Sequence, residues 1–266
     1  LGFLAVASQS LGEYEKFIEY SEKGLAISNE TNNKFGQIDF SMNLGVGYGI
    51  IGQIDKAIGF YEQALSIARG EKLKSKEIFC LFQLATFYEA SFQQFEKARE
   101  LQEQALLIAK DLKNNRLISL SLRNLGGIYS RLKQYGKAQD YYEQALSIVR
   151  EANDKNEESR YLQSLGLLFA AQRQFEEARI HLEQAVKIAK DNNLINQQIY
   201  ALSSLGDLYT NQSKFEQAIN QLEQAYKLAV ETKSIHWQTS LNEALGRAYS
   251  LLNQYEKARG YYEKSL

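Results

Sequence analysis

The stretch Asn124–Arg150, NLGGIYSRLKQYGKAQDYYEQALSIVR, decides how this chain reads. With Gly126 as an anchor, Tyr129 stands three residues on, Ala138 twelve, Tyr142 sixteen and Ala145 nineteen. The same spacing returns as Gly166, Phe169, Ala178, Leu182 and Ala185, then as Gly206, Tyr209, Ala218, Leu222 and Ala225, then as Gly246, Tyr249, Ala258, Tyr262 and Ser265. Upstream, Gly45, Tyr48, Ala57, Tyr61 and Ala64 obey it. Ala85 and Tyr88 open a copy that continues at Ala98, Gln102 and Ala105 after one extra residue, and Ala5, Ser8, Phe17, Ser21 and Gly24 form a degenerate first copy. The anchors 5, 45, 85, 126, 166, 206 and 246 are 40 residues apart, once 41. A fixed period of this length means stacked repeats rather than one globular core.

Each copy reads as two helices. Leu125, Gly126 and Tyr129 fall within about one helical turn on one face. Tyr135, Ala138, Tyr142, Ala145, Leu146 and Ile148 follow a helical period with small and large residues interleaved. Gly126 and Ala138 leave room where the helices approach most closely, and Tyr129 and Tyr142 fill the space beside them. One such pair cannot bury its apolar face alone; stacked copies bury a continuous core.

The L-G-x-x-Y … A-x-x-x-[FY]-x-x-A pattern, repeated along the whole chain, resembles the tetratricopeptide repeat. Two departures matter: the period is 40 rather than the usual 34 of that repeat, and the closing proline is missing because the chain has no proline. Both point to the long-helix variant, similar to the arrays of Pins-type polarity adaptors, kinesin light chains and bacterial signalling proteins. The resemblance implies an all-α, right-handed α-α superhelix of about seven helix-turn-helix repeats. Their boundaries fall near 1–31, 32–71, 72–112, 113–152, 153–192, 193–232 and 233–266. The first (A) helices would line a concave, partner-binding groove.

Composition narrows the function. The chain has 31 Lys and Arg against 32 Asp and Glu, a net charge of −1, so no bulk attraction to nucleic acid or to an anionic membrane is expected. No apolar run approaches the ~20 residues of a membrane span. The single cysteine, Cys80, excludes an intramolecular disulfide and suits a reducing, cytoplasmic compartment. With no initiator methionine, no signal peptide and cut-short end repeats, the chain reads as a fragment of a larger protein. Helix B of repeat seven stops at Leu266, which would leave its apolar face uncovered.

Catalysis finds little support. His181, His236 and Cys80 sit in three different repeats, so no metal-ligand spacing arises. No serine or cysteine has a base that the sequence places beside it. His181 is expected to face solvent. The glutamates of YEQAL and FEKA are expected on outward faces as solvated charge. Gly47-Tyr-Gly49-Ile-Ile-Gly52 matches G-x-G-x-x-G, but that motif cradles phosphate only between a strand and a helix, and no strand precedes it here. Gly52 is expected to close the helix, and Gly49 to leave a bare patch on the groove floor. No cofactor, metal or catalytic residue is assigned.

The remaining A-helix residues, at −9, −6, −3, −2, +1, +4 and +5 from each anchor, form a second stripe that by resemblance faces the groove. Its candidate partner-binding residues are Asn43, Phe79, Gln83, Arg123, Asn124 and Arg131, followed by Arg160, Tyr200, Asp207, Trp237 and Arg247. Arg123, Arg131 and Arg160 would give the middle of the groove a positive tone suited to carboxylates on a peptide. Asn43 and Asn124 can bond an extended backbone as donor and acceptor. Phe79, Tyr200 and Trp237 are aromatics of the hot-spot type, or simply pack between neighbouring helices. The carboxylate clamp of chaperone-binding members is absent: Asn124 has the middle identity, but Phe82 and Thr86 precede it and Arg160 and Ser164 follow.

Three functions fit. The first is a non-catalytic scaffold holding a protein or peptide partner, with an acidic segment near Arg123 and Arg160. The second is a sensor array gating an attached ATPase, protease-like or DNA-binding effector. The third is self-association through the incomplete end repeats.

Overall fold

The computed structural model describes residues 1–265. Among them are fourteen α-helices and no strand: α1 Gly2–Ser10, α2 Tyr14–Glu30, α3 Lys34–Ile50, α4 Ile54–Gly70, α5 Lys74–Ala90, α6 Phe95–Asp111, α7 Asn115–Arg131, α8 Tyr135–Glu151, α9 Lys155–Ala171, α10 Phe175–Asp191, α11 Ile195–Asn211, α12 Phe215–Glu231, α13 Ile235–Leu251 and α14 Tyr255–Glu263. Odd-numbered helices are the A helices and even-numbered ones the B helices. Two compact units emerge, Leu1–Leu132 and the residues from Lys133 onward. Within each, every helix packs on its neighbours in sequence, and in the second unit α9, α11 and α13 also touch one another in turn.

The anchor glycine sets how closely A and B approach. A Cβ on Gly45 would stand 2.6 Å from the Tyr61 ring; on Gly166, 2.6 Å from Leu182; on Gly206, 2.6 Å from Leu222; on Gly246, 2.7 Å from Tyr262. In each case the filling residue lies sixteen positions on. Alanines beside these contacts, such as Ala57, Ala64, Ala178, Ala185, Ala218 and Ala225, are fully buried. Where the anchor is alanine, the sixteenth residue is polar: Ser21 opposite Ala5, and Gln102 in the repeat of Ala85, which carries the insertion.

The glycine-rich run of α3 is a packing device. Added Cβ atoms would meet Ile18 at 2.6 Å from Gly47 and Phe87 at 2.7 Å from Gly49. Gly49 is therefore not a bare patch on the groove: Phe87 of α5 fills its place. Gly52 does close the helix, at φ +77°.

The turns share one device. Gly12 and Gly52, and eleven non-glycine residues with φ between 50° and 61°, occupy the left-handed region two residues past a helix end, or three at Gln93. After α4, the Lys72 amide donates to the Arg69 carbonyl at 3.1 Å and the Leu73 amide to that of Ala68 at 2.8 Å, the paired bonds of a Schellman motif. Asn32, Asn153, Asn193 and Asn253 tolerate this conformation best among the non-glycines; Lys72, Lys113 and Lys233 hold it at a cost. The extra residue at Ser91–Gln94 alters this closure: the Gln94 amide reaches the Tyr88 carbonyl six residues back instead of five.

Consecutive repeats are tied by polar contacts that recur in register. The hydroxyls of Tyr48, Tyr88, Tyr129 and Tyr249 donate to Glu22, Glu62, Glu103 and Glu223, at 2.8, 3.4, 3.4 and 2.7 Å, each 26 residues back on the preceding B helix. Glutamates at the YEQAL position are exposed, as expected, and four of them also accept these bonds. Lysines of the FEKA type lie over the same rings, as Lys97 does over Tyr88 at 3.7 Å. The B-helix residue fifteen positions after the anchor stacks on that aromatic face: Phe60 on Tyr48 at 5.5 Å, Tyr261 on Tyr249 at 5.4 Å, and His181 on Phe169 at 5.2 Å. His181 is thus partly buried in a ring stack, not solvent-facing. Burial holds its imidazole below the usual range, with Glu143 opposing, and its Nδ1 has no hydrogen-bond partner among the described residues. At the chain's end, Tyr255 and Tyr262 of α14 are exposed; Leu266 lies outside the described residues.

A second tie joins each B helix to the start of the next A helix. Gln37 and Gln238 donate to the Ser28 and Ala229 carbonyls at 3.2 Å each. At the same position Glu158, 5% exposed, accepts from Arg150 at 2.9 Å and Lys155 at 2.8 Å. Burial alone would raise the Glu158 carboxyl, but the hydrogen bonds and charges of Lys155 and Arg150 hold it below its usual range.

Three outcomes follow from this geometry. Lys72→Gly should stabilise by about 0.5–1 kcal/mol and Gly52→Ala should destabilise by about as much, because only glycine holds positive φ without steric cost; thermal denaturation giving the opposite order would remove the account of the turns. Gly206→Ala should cost about 1–3 kcal/mol as overpacking against Leu222, read as a lowered melting temperature. Glu158→Gln should cost about 1–2 kcal/mol at neutral pH, moderated because both cations are partly exposed. A depressed carboxyl stabilises above its unfolded pKa, and that stability is lost as pH falls through the folded value. The gap between wild type and variant, followed by hydrogen exchange in α9, should therefore close below about pH 4.

Candidate partner-binding surface

The A helices carry side chains that the repeat core does not use, and these side chains join successive A helices. In the first unit, Lys76 on α5 pairs with Asp39 on α3 at 2.5 Å, and Arg131 on α7 pairs with Glu89 on α5 at 3.4 Å. In the second, the Gln163 amide on α9 donates to the Tyr200 carbonyl at 3.1 Å and to the Ser204 hydroxyl at 2.8 Å, both on α11. Gln197 on α11 donates to Asn156 on α9 at 2.7 Å. Tyr200 meets Trp237 of α13 edge to face, with ring centroids 4.3 Å apart. The hydrogen-bonded pairs are 37 or 41 residues apart, within one helical turn of the 40-residue repeat.

The candidate residues differ in how far they remain available. Phe79 and Tyr200 are 38% and 49% exposed. Arg131, Asp207 and Arg247 are exposed; Asn43, Gln83, Arg123, Asn124, Arg160 and Trp237 are partly so. The arginines are less open than their count suggests. Arg131 has Glu89, Arg160 has Glu157 at 2.9 Å one turn back, and Arg123 donates to the Asn124 side-chain oxygen at 3.3 Å. Glu157 stands on the stripe itself, nine residues before Gly166, and its i,i+3 spacing to Arg160 is a readable signal in the sequence. Gln197 and Asn156 give no such signal, since only the stacking of α9 on α11 brings them together.

Two carboxylates of this surface are shifted. Partial desolvation pushes the Asp207 carboxyl above the usual range, with Arg247 opposing, although the residue is exposed. Glu89 is raised in the same way, with Arg131 opposing. Among the described residues, no group of three His, Cys, Asp or Glu could hold a metal ion, and no helix is long and apolar enough to cross a membrane.

Tetratricopeptide repeat sequence profiles match residues 77–151, 117–191 and 197–266, and a further one matches residues 38–71. The chain belongs to the tetratricopeptide repeat family. No curated protein matches it in sequence. Solved tetratricopeptide-type neighbours include the apo form of RapI, 19% identical, with 99% of this chain and 94% of that chain covered and a TM-score of 0.74. Aspartyl phosphate phosphatase F from Bacillus subtilis is 14% identical, with 98% and 67% covered and a TM-score of 0.73. The apo form of the quorum sensor NprR from B. thuringiensis is 20% identical, with 97% and 72% covered and a TM-score of 0.73. At these identities the likeness is one of fold.

Proposed function

We propose that this tetratricopeptide array is a non-catalytic scaffold whose A helices hold an extended segment of a partner protein or peptide. The observation that carries this reading is the Tyr200–Trp237 pair, two large aromatics set edge to face: Trp237 is anchored against the core of the second unit, and Tyr200, half exposed, stands on it. Rigid, partly exposed aromatics are the side chains that dominate binding energy. Asn43, Gln83 and Asn124 add amide groups able to bond a backbone. In the first unit Arg123 offers charge to an acidic residue of the segment. The charge that Arg131 and Arg160 could add is reduced by the carboxylates beside them. A cytoplasmic setting suits Cys80, a buried thiol pushed up to about 12 by desolvation. The phosphatase name of one neighbour stays with that protein, whose likeness extends to fold alone. The likeness to a quorum sensor favours one second reading, a sensor array whose occupancy gates an attached effector.

The test is capture of partners from a source lysate by the wild type, by Tyr200→Ala/Trp237→Ala and by Arg123→Glu, after circular dichroism confirms equal helicity. A partner held by the wild type should be lost at least ~10-fold by the aromatic variant, and Arg123→Glu should weaken it most at low salt. Equal capture by all three would place binding off this surface.

A further inference from the structure

Four repeats obey the tyrosine–glutamate rule, and the sixth breaks it. The carboxylate that Tyr209 would meet, 26 residues back, is Glu183, and Arg179 has taken it: one guanidinium nitrogen reaches both Glu183 oxygens at 2.8 Å. The Tyr209 hydroxyl is left without a hydrogen-bond partner among the described residues. It borders an open cleft of about 380 Å³ between α10, α11 and α12, walled by Val186 and Leu205 and reached by Lys190 and Gln221. Of the cleft's other charges, Glu183 shares Arg179 with Glu176, and Asp191 has Lys187 at 2.5 Å. The Tyr209 hydroxyl, the Lys190 ammonium and the Gln221 amide therefore converge as three groups that no other protein group engages, with one net positive charge.

The equivalent cleft of the first unit, about 360 Å³ beside Tyr88, has the same walls and the opposite wiring. There Tyr88 donates to Glu62 at 3.4 Å and Lys97 lies over its ring at 3.7 Å. Arg69 is spent on Glu77 and Gln104 at 2.8 Å each. That cleft keeps the Ser66 hydroxyl and the Lys97 ammonium, but its tyrosine is committed to Glu62 and its guanidinium to Glu77 and Gln104.

We propose that the cleft between α10, α11 and α12 binds a small organic carboxylate. The carboxylate would accept from Lys190 and Tyr209, with Gln221 at its edge, while the apolar part lies on Val186 and Leu205. The volume falls within the range of small-molecule sites, about 300–1,000 Å³. The cleft lies where α11 meets α10 and α12 and shares no lining residue with the A-helix candidates, so it stands whether or not that surface binds a partner.

Benzoate, followed by NMR shifts of the Val186 and Leu205 methyl groups, tests this directly. Binding should saturate with a Kd of about 1 mM or tighter, and benzamide, its neutral analogue, should bind at least ~10-fold more weakly. Tyr209→Phe and Lys190→Gln should each weaken benzoate, while Tyr88→Phe should leave it unchanged. Arg179→Ala gives a test outside the cleft wall: it frees Glu183 to take the Tyr209 hydroxyl and adds a negative charge, so benzoate should again weaken by ~10-fold. Shifts that never saturate, equal binding of benzamide, or unchanged binding in Tyr209→Phe, Lys190→Gln and Arg179→Ala, all with helicity intact, would overturn the assignment.

Discussion

The close approach of one A helix to its B helix is the constraint on which the rest depends. It exists because Gly45, Gly166, Gly206 and Gly246 have no Cβ where Tyr61, Leu182, Leu222 and Tyr262 need the space. Interiors are packed to crystal density, so neither member can change size alone. The small residues that follow each contact, Ala64, Ala185 and Ala225, are then forced to be small by the same proximity. Once the pair is closed, its outer faces are apolar stripes that only another pair can cover, and the solenoid grows from that need.

Stacking alone would let repeats slide. The polar ties fix the register. A tyrosine reaching a glutamate 26 residues back, and a Gln or Glu binding the end of the preceding B helix, can form at one setting only. Each bond is modest, roughly 1 kcal/mol, but each is repeated, and in a linear array nearest-neighbour contributions accumulate. The cores of the early repeats are less apolar: Ser21, Ser28 and Ser41 occupy positions held by larger or apolar residues elsewhere, and the Ser41 hydroxyl is buried with no partner among the described residues.

Because the core and the ties consume a fixed set of positions, whatever departs from them is free to serve binding. Two such departures occur in the second unit. Tyr200, half exposed, and Trp237, partly buried beneath it, place an aromatic pair on the A-helix surface. Arg179 withdraws Glu183 from Tyr209 and leaves an uncommitted hydroxyl where α11 meets α10 and α12. The first is an addition to the repeat and the second a broken rule, and both are visible only against the regularity of the other copies.

The sequence by itself determined the helix pairs, their period, the inserted residue after Ala90 and the glycine that closes α3, because each rests on local spacing or on backbone sterics. It also separated the dinucleotide-like glycine run from any nucleotide chemistry, since no strand precedes it. The fate of individual side chains was decided by tertiary structure alone. Gly49 is filled by Phe87, His181 stacks on Phe169, Arg160 leans on Glu157 and Arg131 on Glu89. The glutamates of YEQAL look solvated from within one repeat and become acceptors only when the next repeat brings its tyrosine. Apart from the Arg160–Glu157 pair within α9, these contacts join residues from different helices. Periodicity tells which face of a helix turns inward; only the packed neighbour decides which group on that face is satisfied and which is left open.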